Sequence, residues 1–388
     1  MVAVDLSELR TLATSSGLAR LVVTGAGPLV EARRVIEERK AAGINGSMQF
    51  TYKNPARSTD PQALLPGARS ILVGARSYHR QLPPPPPDAG PVARVARYMW
   101  ADDQEILLAG LGKVADHLKE GGWRACVVSD QNHLVDRAVA ERAGLGWYGK
   151  NANLLIPGAG SWFILGSVLT DAEVVDDGAR PEPFEPAEGC GTCIRCIPAC
   201  PTGAIVAPGV VDARLCLSWL LQATGPFPIE HREALGDRIY GCDECQDVCP
   251  PNRVEIRRAA PGGGGSVDEV GVPSRAWVAV LDLLESSDEQ ILAAHGRWYI
   301  PRREVRYLRR NALVVLGNTG DGRDPRVRRV LDRCLADPDG LIRSHAVWSA
   351  RRLGCDDLLV ELSEDPDPMV AAELAYPVRA RDVAEPAS

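Results

Sequence analysis

Cysteine clustering constrains this chain more than any other feature of its sequence. Eight of its eleven cysteines fall between residues 190 and 249. They form two runs, Cys190-x2-Cys193-x2-Cys196-x3-Cys200-Pro201 and Cys242-x2-Cys245-x3-Cys249-Pro250, with Cys216 between them. Few apolar residues accompany them, so bound metal has to replace a hydrophobic core in this segment. The charged N-terminus does not read as an export signal, so we expect a cytoplasmic protein whose clustered cysteines bind metal rather than form disulfides.

The spacing of these cysteines favours iron–sulfur clusters over zinc. Zinc sites also use paired C-x2-C motifs, but the first run is too dense for one tetrahedral ion. In two-cluster ferredoxins the cysteine before proline binds the other cluster, which predicts a crossed pairing. One [4Fe–4S] cluster then takes Cys190, Cys193, Cys196 and Cys249, and the other takes Cys200, Cys216, Cys242 and Cys245. The remaining cysteines, Cys126, Cys334 and Cys355, lie in apolar segments and are predicted to be small core residues.

Hydrophobic periodicity divides the rest of the chain. Residues 1–185 are predicted to form an α/β domain, with strands at 18–24, 70–76 and 125–128 and helices at 103–120 and 134–143. Residues 186–258 form the cysteine module, and residues 259–388 begin with a flexible joint at 261–265. Residues 275–375 are predicted to be all-helical. Arg309, Ala312 and Gly320 recur 34 residues later as Arg343, Ala346 and Gly354, which favours a HEAT-type solenoid over a plain helical bundle.

Two glycine-rich features imitate other protein classes. Residues 144–150 fit both a dinucleotide-binding and a phosphate-binding pattern, but a helix precedes them and a strand follows, the reverse of what those motifs need. We predict a helix C-cap and a tight turn there. The uncharged window 151–170 contains Pro157 and several glycines, so it predicts two short strands around a Gly-Pro turn rather than a membrane helix.

These motifs together resemble those of a known family. The two cysteine runs, the segment from Asp130 through Asp136-Arg137 to Trp147, and residues 160–163 are similar to the epoxyqueuosine reductases, which are relatives of the cobalamin-dependent reductive dehalogenases. The resemblance covers nearly the whole chain. It implies an α+β multidomain protein with an α/β cobalamin-binding domain, a ferredoxin-like module with two [4Fe–4S] clusters, and a C-terminal all-α HEAT-like domain.

The resemblance also implies an activity. Members of this family reduce epoxyqueuosine to queuosine at the wobble position of tRNA, within the anticodon stem-loop. The reaction removes an oxygen atom as water and consumes two electrons and two protons. Cobalamin would be the reacting centre, and the two clusters would supply it with electrons from an external low-potential donor.

Site residues follow from the positions that match the family. Asp130 corresponds to the general acid, for which its pKa must be raised; the alternative is that it caps the next helix or closes an Asx turn. The resemblance suggests cobalamin contacts at several positions, for which solvated surface charges and turn hydroxyls are the alternative. These positions are Arg57, Arg97, Asp130, Lys150, Ser161, Ser218 and Asp243.

The chain departs from the family pattern around the expected pocket. Gln104 and Glu105 replace a Tyr-His pair that many relatives have, and Gln131-Asn132-His133 replaces smaller residues. The segment around Arg57 is one residue longer. These departures concern the substrate more than the cofactor. The alternatives are a cobalamin reductase of a small halogenated or epoxide-bearing substrate and an electron-transfer protein with two clusters.

Charge is distributed unevenly along the chain. The whole sequence carries a net charge of −7, whereas residues 301–355 hold 13 Arg and 6 Asp or Glu. The acidic total argues against general nucleic-acid binding, DNA included. The local excess of arginine suits contact with an RNA backbone, with a solvated surface or a protein-binding face as alternatives. The predicted tRNA contacts are Arg306, Arg309, Arg310 and Arg343.

Overall fold

The computed structural model describes residues 4–87, 89–176, 189–253 and 275–381. The chain divides into two compact units, each built from separate segments. The first comprises Met1–Gln81, Ala101–Arg214 and Asp243–Glu269, and the second comprises Leu82–Trp100, Leu215–Cys242 and Val270–Ser388. The domain boundaries predicted near residues 185 and 258, and the joint at 261–265, lie outside the described residues.

A four-stranded sheet organises the first unit. Its strands run in the order Arg20–Gly25, Ser70–Ser77, Phe163–Thr170 and Ala125–Val128, and every neighbouring pair is antiparallel. The three strands predicted for residues 1–185 are therefore confirmed, with shifted ends for two of them. The α/β label for this region is corrected to α+β, because antiparallel neighbours do not form the parallel sheet of βαβ units.

Helices cover both faces of this sheet. Alternate residues of the strand Ser70–Ser77 point to opposite sides, so Ile71 and Val73 join one apolar cluster while Leu72 joins another. The helix Asp103–Glu120, at the bounds the sequence predicts, packs on the second side. Gly74 allows this contact, because a Cβ atom there would collide with Leu18 and Leu111.

The remaining elements of the first unit are short. The predicted helix at 134–143 is observed at Asp136–Arg142, and Gly144 follows it with φ of 73° as a C-cap. The window 151–170 contains two strands, but the second, Phe163–Thr170, joins the main sheet instead of pairing with the first. The other helices are Leu6–Ser15, Val30–Ala41, Pro55–Ser58, Cys196–Ala199 and Glu244–Asp247, and the paired strands are Val4–Asp5 with Val174–Val175, Trp147–Tyr148 with Leu154–Leu155, and Ile205–Ala207 with Val210–Val211.

The second unit combines a small sheet with helices. Its strands are Arg238–Tyr240, Val92–Val95 and Trp277–Ala279, with Val92–Val95 in the centre. The prediction that residues 275–375 are all-helical is therefore wrong at 277–279. This strand exists because it pairs with a segment far away in the chain, which local periodicity cannot reveal.

Helices account for most of the second unit. Asp324, Asp339 and Asp367 each cap a helix by accepting a hydrogen bond from a backbone N–H two residues ahead, which explains the Asp-rich loops between helices. Cys334 and Cys355 are buried in the apolar core, as predicted. No helix in the described part of the chain is long and apolar enough to cross a membrane. The helices are Leu217–Leu220, Ile229–Leu235, Val280–Glu285, Asp288–His295, Arg306–Thr319, Pro325–Leu335, Gly340–Arg352 and Pro368–Ala375.

Candidate functional site

Four cysteines of the first unit come together. The backbone N–H of Cys193 donates to the carbonyl of Cys190 at 2.9 Å, and Cys196 begins the short helix Cys196–Ala199. Cys249 follows the helix Glu244–Asp247 and is buried. Burial, then the neighbouring thiols of Cys190 and Cys196, raises the pKa of Cys249 to about 12. These are the four residues that the crossed pairing assigns to one cluster.

The chemistry of this set fits a [4Fe–4S] cluster. In such a cluster each of the four irons takes one thiolate, and here four thiols of one unit lie near one another. The described residues contain no group of three or more His, Cys, Asp or Glu side chains that could hold a single metal ion.

The other four predicted ligands are divided between the units. Cys200 and Cys245 belong to the first unit, and Cys216 and Cys242 belong to the second. The Sγ atom of Cys200 accepts a hydrogen bond from the backbone N–H of Ala204 at 3.2 Å. Cys216 is the N-cap residue of the helix Leu217–Leu220. Their joint binding of a second cluster stays a prediction.

A cleft in the first unit adjoins Cys245. The Nδ2 atom of Asn153 lies 3.9 Å from the Sγ atom of Cys245, and Asn151 donates to the carbonyl of Cys245 at 3.2 Å. The hydroxyl of Tyr78 donates to Gln246, one residue further on, at 3.3 Å. The cleft is lined by Tyr78, Arg137, Asn153, Leu154, Ile156, Ser161, Phe163 and Leu165.

Ser161, a predicted cofactor contact, is held in the wall of this cleft. Its hydroxyl donates to Oε1 of Gln246 at 2.9 Å and accepts from Nδ2 of Asn252 at 3.0 Å. Its backbone N–H donates to Oδ1 of Asn252 at 2.6 Å. Gly160 is required beside it, because a Cβ atom there would collide with Asn252. This network fixes the cleft wall to the segment that carries Cys245 and Cys249.

Asp130 follows the strand Ala125–Val128 and has an unusual backbone. Its φ of 51° lies in the left-handed region, which non-glycine residues seldom adopt outside strained or functional loops. Desolvation raises the pKa of its carboxyl, and Arg137 partly opposes this. The alternative of a helix cap is not observed, since the helix Asp136–Arg142 has Val135 at its N-cap.

The residues that depart from the family pattern support the Asp130 loop. Gln104 donates to the hydroxyl of Ser129 at 2.9 Å, and this hydroxyl donates to the carbonyl of Leu165 at 2.7 Å. Asn132 accepts a hydrogen bond from the backbone N–H of Thr51 at 3.0 Å. Gln104 and Asn132 therefore act on the loop that presents Asp130.

The other predicted cofactor residues are spread over both units. Lys150 donates to the carbonyl of Gly191 at 2.7 Å, which places its ammonium at the loop of the first cysteine run. Arg97 is buried, with its guanidinium 5.5 Å from the ring centre of Trp100. Arg57 is exposed in the first unit, Asp243 is buried at the start of the helix Glu244–Asp247, and Ser218 is half-buried in the helix Leu217–Leu220 of the second unit. Their cofactor roles stay predictions.

Sequence reasoning missed three residues of this site. Tyr78 follows directly on the buried strand Ser70–Ser77, and this position is the one signal that could have indicated it. Asn153 lies in a turn with no distinguishing pattern. Asp136 was noted only as part of a motif, although burial, followed by the charge of Asp130, raises its pKa to about 7.

The predicted tRNA contact at Arg310 is wrong. Arg310 is fully buried in the second unit. Its Nη1 atom donates to the carbonyls of Ala223 at 2.7 Å and Gly225 at 2.6 Å. Its Nη2 atom donates to the carbonyls of Leu220 and Leu221. These four acceptors occupy the guanidinium, so it stabilises the turn after the helix Leu217–Leu220 and cannot reach a phosphate.

The other three predicted arginines have acidic partners within the second unit. Arg343 pairs with both oxygens of Asp365, at 2.8 and 2.9 Å, and only 15% of its side chain is exposed. Arg309 pairs with Asp288. Arg306 lies between Glu304 and Asp339 but exposes 42% of its side chain. The side chain of Arg302 is 78% exposed. It is therefore better placed than these three arginines to contact another molecule.

Comparisons with known proteins agree with this site. Residues 189–252 match the family described as 4Fe-4S double cluster binding domain. The chain is 33% identical to the epoxyqueuosine reductase of Xanthomonas campestris pv. campestris over 90% of this chain and 96% of that relative. It is 34% identical to the epoxyqueuosine reductase of Pseudomonas aeruginosa over 81% of this chain and 85% of that one.

Solved structures agree in fold. An epoxyqueuosine reductase crystallised with an epoxyqueuosine-modified tRNA-Tyr stem-loop has a TM-score of 0.83 and 28% identity, over 95% of this chain and 96% of that one. The Bacillus subtilis epoxyqueuosine reductase, solved with its catalytic Asp loop swung out of the active site, has a TM-score of 0.81, also with 28% identity and the same coverage.

Proposed function

The chain belongs to the epoxyqueuosine reductase family, and we propose on that basis that it reduces epoxyqueuosine to queuosine at the wobble position of tRNA. The observation that carries this proposal within the chain is the cleft beside Cys245, with the loop of Asp130 next to it. Arg137 connects the two, because it lines the cleft and acts on the carboxyl of Asp130. The predicted proton donor Asp130 and the predicted cluster ligand Cys245 therefore lie in the same region of the first unit.

The cysteines would hold two [4Fe–4S] clusters in the crossed pairing. Cys190, Cys193, Cys196 and Cys249 fit this role by their mutual proximity. Cys200, Cys216, Cys242 and Cys245 would hold the other cluster. When bound, the clusters supply one-electron transfer from an external low-potential donor.

The cleft would hold part of a cobalamin. Its lining offers N–H donors from Arg137 and Asn153, and these suit the amide groups around a corrin ring. Cobalamin, when bound, supplies the low-potential reducing centre of the reaction. We retain Arg57, Arg97, Ser218 and Asp243 as further candidate contacts. The ammonium of Lys150 already donates to the backbone carbonyl of Gly191, in the loop of the first cysteine run. Lys150 is therefore a weaker candidate for a cofactor contact.

Asp130 would supply a proton to the departing epoxide oxygen. A carboxyl with an ordinary pKa is ionised at neutral pH and cannot do this, whereas desolvation raises the pKa of Asp130. Loss of the oxygen as water forms a carbon–carbon double bond and needs two electrons and two protons. The electrons come from the external donor, and Asp130 delivers one of the protons.

Recognition of the anticodon stem-loop would fall to exposed arginines of the second unit. Arg302, Arg306 and Arg329 are three candidates among the arginines that reach solvent. Arg309 and Arg343 could contribute only by leaving Asp288 and Asp365. The domain layout that accompanies this function is a cobalamin domain at 1–185, a cluster module at 186–258 and a HEAT-like domain at 259–388, in a cytoplasmic enzyme.

Mass spectrometry of tRNA nucleosides tests this function. Anaerobic protein with reductant should convert epoxyqueuosine to queuosine in tRNA. Asp130→Asn should keep its iron and lose about 10²–10⁴-fold in turnover, the usual contribution of a general acid. Asp116→Asn, an exposed aspartate on the helix Asp103–Glu120, is the matched control and should retain activity. Unchanged epoxyqueuosine with the wild-type protein, or normal turnover in Asp130→Asn, would contradict the proposal.

A further inference from the structure

Asp136 faces Asp130 from the first residue of the helix Asp136–Arg142. Its Oδ2 atom accepts a hydrogen bond from the backbone N–H of Asp130 at 3.3 Å. Its Oδ1 atom is buried, and the described residues give it no hydrogen-bond partner. Hydrogen-bond donors stabilise a charged carboxylate, and burial with few donors favours its protonated form. Asp136 therefore sits in surroundings that favour its protonated form.

The charges around this carboxyl decide how strongly it holds its proton. Burial is the largest influence and Asp130 is the next, and both raise its pKa; Arg137, on the same helix, lowers it. Burial raises the pKa of Tyr148, in the strand Trp147–Tyr148, and the charges of Glu141 and Asp136 add to this rise. The helix N-terminus favours a negative charge at this position, but burial outweighs it here. Arg137 is the one cation that acts on both carboxyls.

We propose that Asp130 and Asp136 form a coupled carboxyl pair that shares one proton, with Asp136 as the positioning residue that keeps Asp130 supplied for catalysis. This inference rests on the proposed function of Asp130. The carboxyl of Asp136 bonds the backbone N–H of Asp130 and responds to the charge of Asp130. Two carboxyls that interact do not ionise independently, so the proton belongs to the pair rather than to either residue. The hydrogen bond from the backbone N–H of Asp130 to Asp136 also stabilises the left-handed conformation of Asp130.

The reaction consumes two protons, and the carboxyl pair would supply one of them. The epoxide loses two carbon–oxygen bonds, its oxygen leaves as water, and the external donor supplies both electrons. One proton crosses from the carboxyl of Asp130, and the second comes from solvent. When Asp130 carries the shared proton, its loss to water would leave two interacting carboxylates, which opposes that loss. An isolated Asp130 would lose that proton at lower pH.

Asp136→Asn tests the pair with little change in shape, since the amide oxygen can still accept the N–H of Asp130. Single-turnover rates are measured against pH with epoxyqueuosine-containing tRNA. We expect the alkaline fall in rate to move to lower pH by about one unit, because the charge that sustains Asp130 is gone. Asp116→Asn should leave the profile unchanged. An unchanged profile in Asp136→Asn, with normal iron content, would overturn the proposal.

Infrared difference spectroscopy provides a reading that does not depend on turnover. The protonated carboxyl band of the resting wild-type protein should titrate near pH 7 and shift to lower pH in Asp136→Asn, where Asp130 titrates alone. In Asp130→Asn the band should remain and titrate at lower pH, because Asp136 has lost its charged neighbour. A band that titrates identically in wild type and Asp130→Asn would show that the two groups are uncoupled. Coupling without any effect of Asp130→Asn on turnover would instead separate the pair from the proposed function.

Discussion

The cysteine loops of the first unit and the arginine-rich stretch 301–355 of the second both look functional in sequence, but the structure uses their side chains differently. Cys190, Cys193, Cys196 and Cys249 lie close enough for their thiols to influence one another's pKa. The arginines named as tRNA contacts turn toward acidic side chains and carbonyls of their own unit. Thiols at such spacing usually bind metal or iron–sulfur clusters, whereas a guanidinium can bind a phosphate, a carboxylate or a backbone carbonyl. Ligand spacing is therefore a better guide to function than local charge.

Removal of one cluster ligand should have the largest effect. Cys249→Ala takes away the buried thiol that closes the first set, so iron content should fall from about eight to about four atoms per chain, with loss of turnover. Cys216→Ala should remove the other four. Iron analysis of anaerobically purified protein measures both.

Cys126→Ala is the matched control for the cysteine variants. Cys126 is half-buried in the strand Ala125–Val128 and belongs to neither set. It should keep all of its iron. Full iron content in Cys249→Ala, or stoichiometric zinc in the wild-type protein, would remove the contrast between the two regions.

Arg310→Met should have the next largest effect, on stability. Four carbonyls lose their donor, and each buried acceptor left unsatisfied costs about 1–3 kcal/mol. With partial relaxation, a loss of about 3 kcal/mol corresponds to a fall in Tm of roughly 6–12 °C for a unit of this size. Scanning calorimetry measures it.

Arg306→Met provides the comparison within the same helix. Its ion pairs with Glu304 and Asp339 are partly exposed, and solvent-exposed pairs contribute about 0–1 kcal/mol. Its Tm should change little. Equal shifts in the two variants would mean that Arg310 is not the buried clamp described above.

Local sequence patterns predicted the elements that local interactions determine. The helix Asp103–Glu120 matches its predicted bounds, because eighteen residues of apolar periodicity identify one face without reference to the rest of the chain. The strand Trp277–Ala279 was missed, because it is stabilised by pairing with Val92–Val95. Strand pairing over such a separation leaves no trace in a short window.

The site shows the same division. Cysteine spacing predicted a set whose thiols do come together, since the ligands of one cluster must lie close in space. The burial of Asp136 and Arg310 depends on segments packed around them from elsewhere in the chain. Asp136 was consequently overlooked and Arg310 was misassigned. Residue type and position alone do not say whether a charge meets water, a partner or a low-dielectric interior.

A buried histidine makes the stability of the second unit depend on pH. His345 accepts the backbone N–H of Phe227 at Nε2 and donates from Nδ1 to the carbonyl of Leu341, so it is neutral. Burial, then Arg232, lowers its pKa well below 6.5. Below pH 6.5 the unfolded chain binds a proton that the folded chain does not, so stability falls as pH decreases.

The difference between two variants isolates this contribution. Tm measured from pH 7.5 to 5 should fall less in His345→Gln than in the wild-type protein. His117→Gln, at a position whose side chain is 37% exposed, should follow the wild-type curve. Parallel curves for His345→Gln and wild type would assign the acid sensitivity to other groups.

The smallest effect concerns tRNA affinity, and it tests the contrast among the arginines directly. Each phosphate contact contributes roughly 0.7–0.9 log units to the dependence of affinity on each decade of salt, because binding releases counterions. Arg302→Gln with Arg329→Gln removes exposed charge and should flatten this slope by about 1.4–1.8 in total if both contact phosphate. Arg309→Gln with Arg343→Gln removes the same formal charge from residues that already have acidic partners, so the slope should change less and Tm more. Filter binding at several salt concentrations, beside calorimetry, separates the two effects. A larger change of slope in the paired arginines would mean that they leave Asp288 and Asp365 when RNA binds, and that the exposed fraction of a guanidinium is a poor guide to its function in this unit.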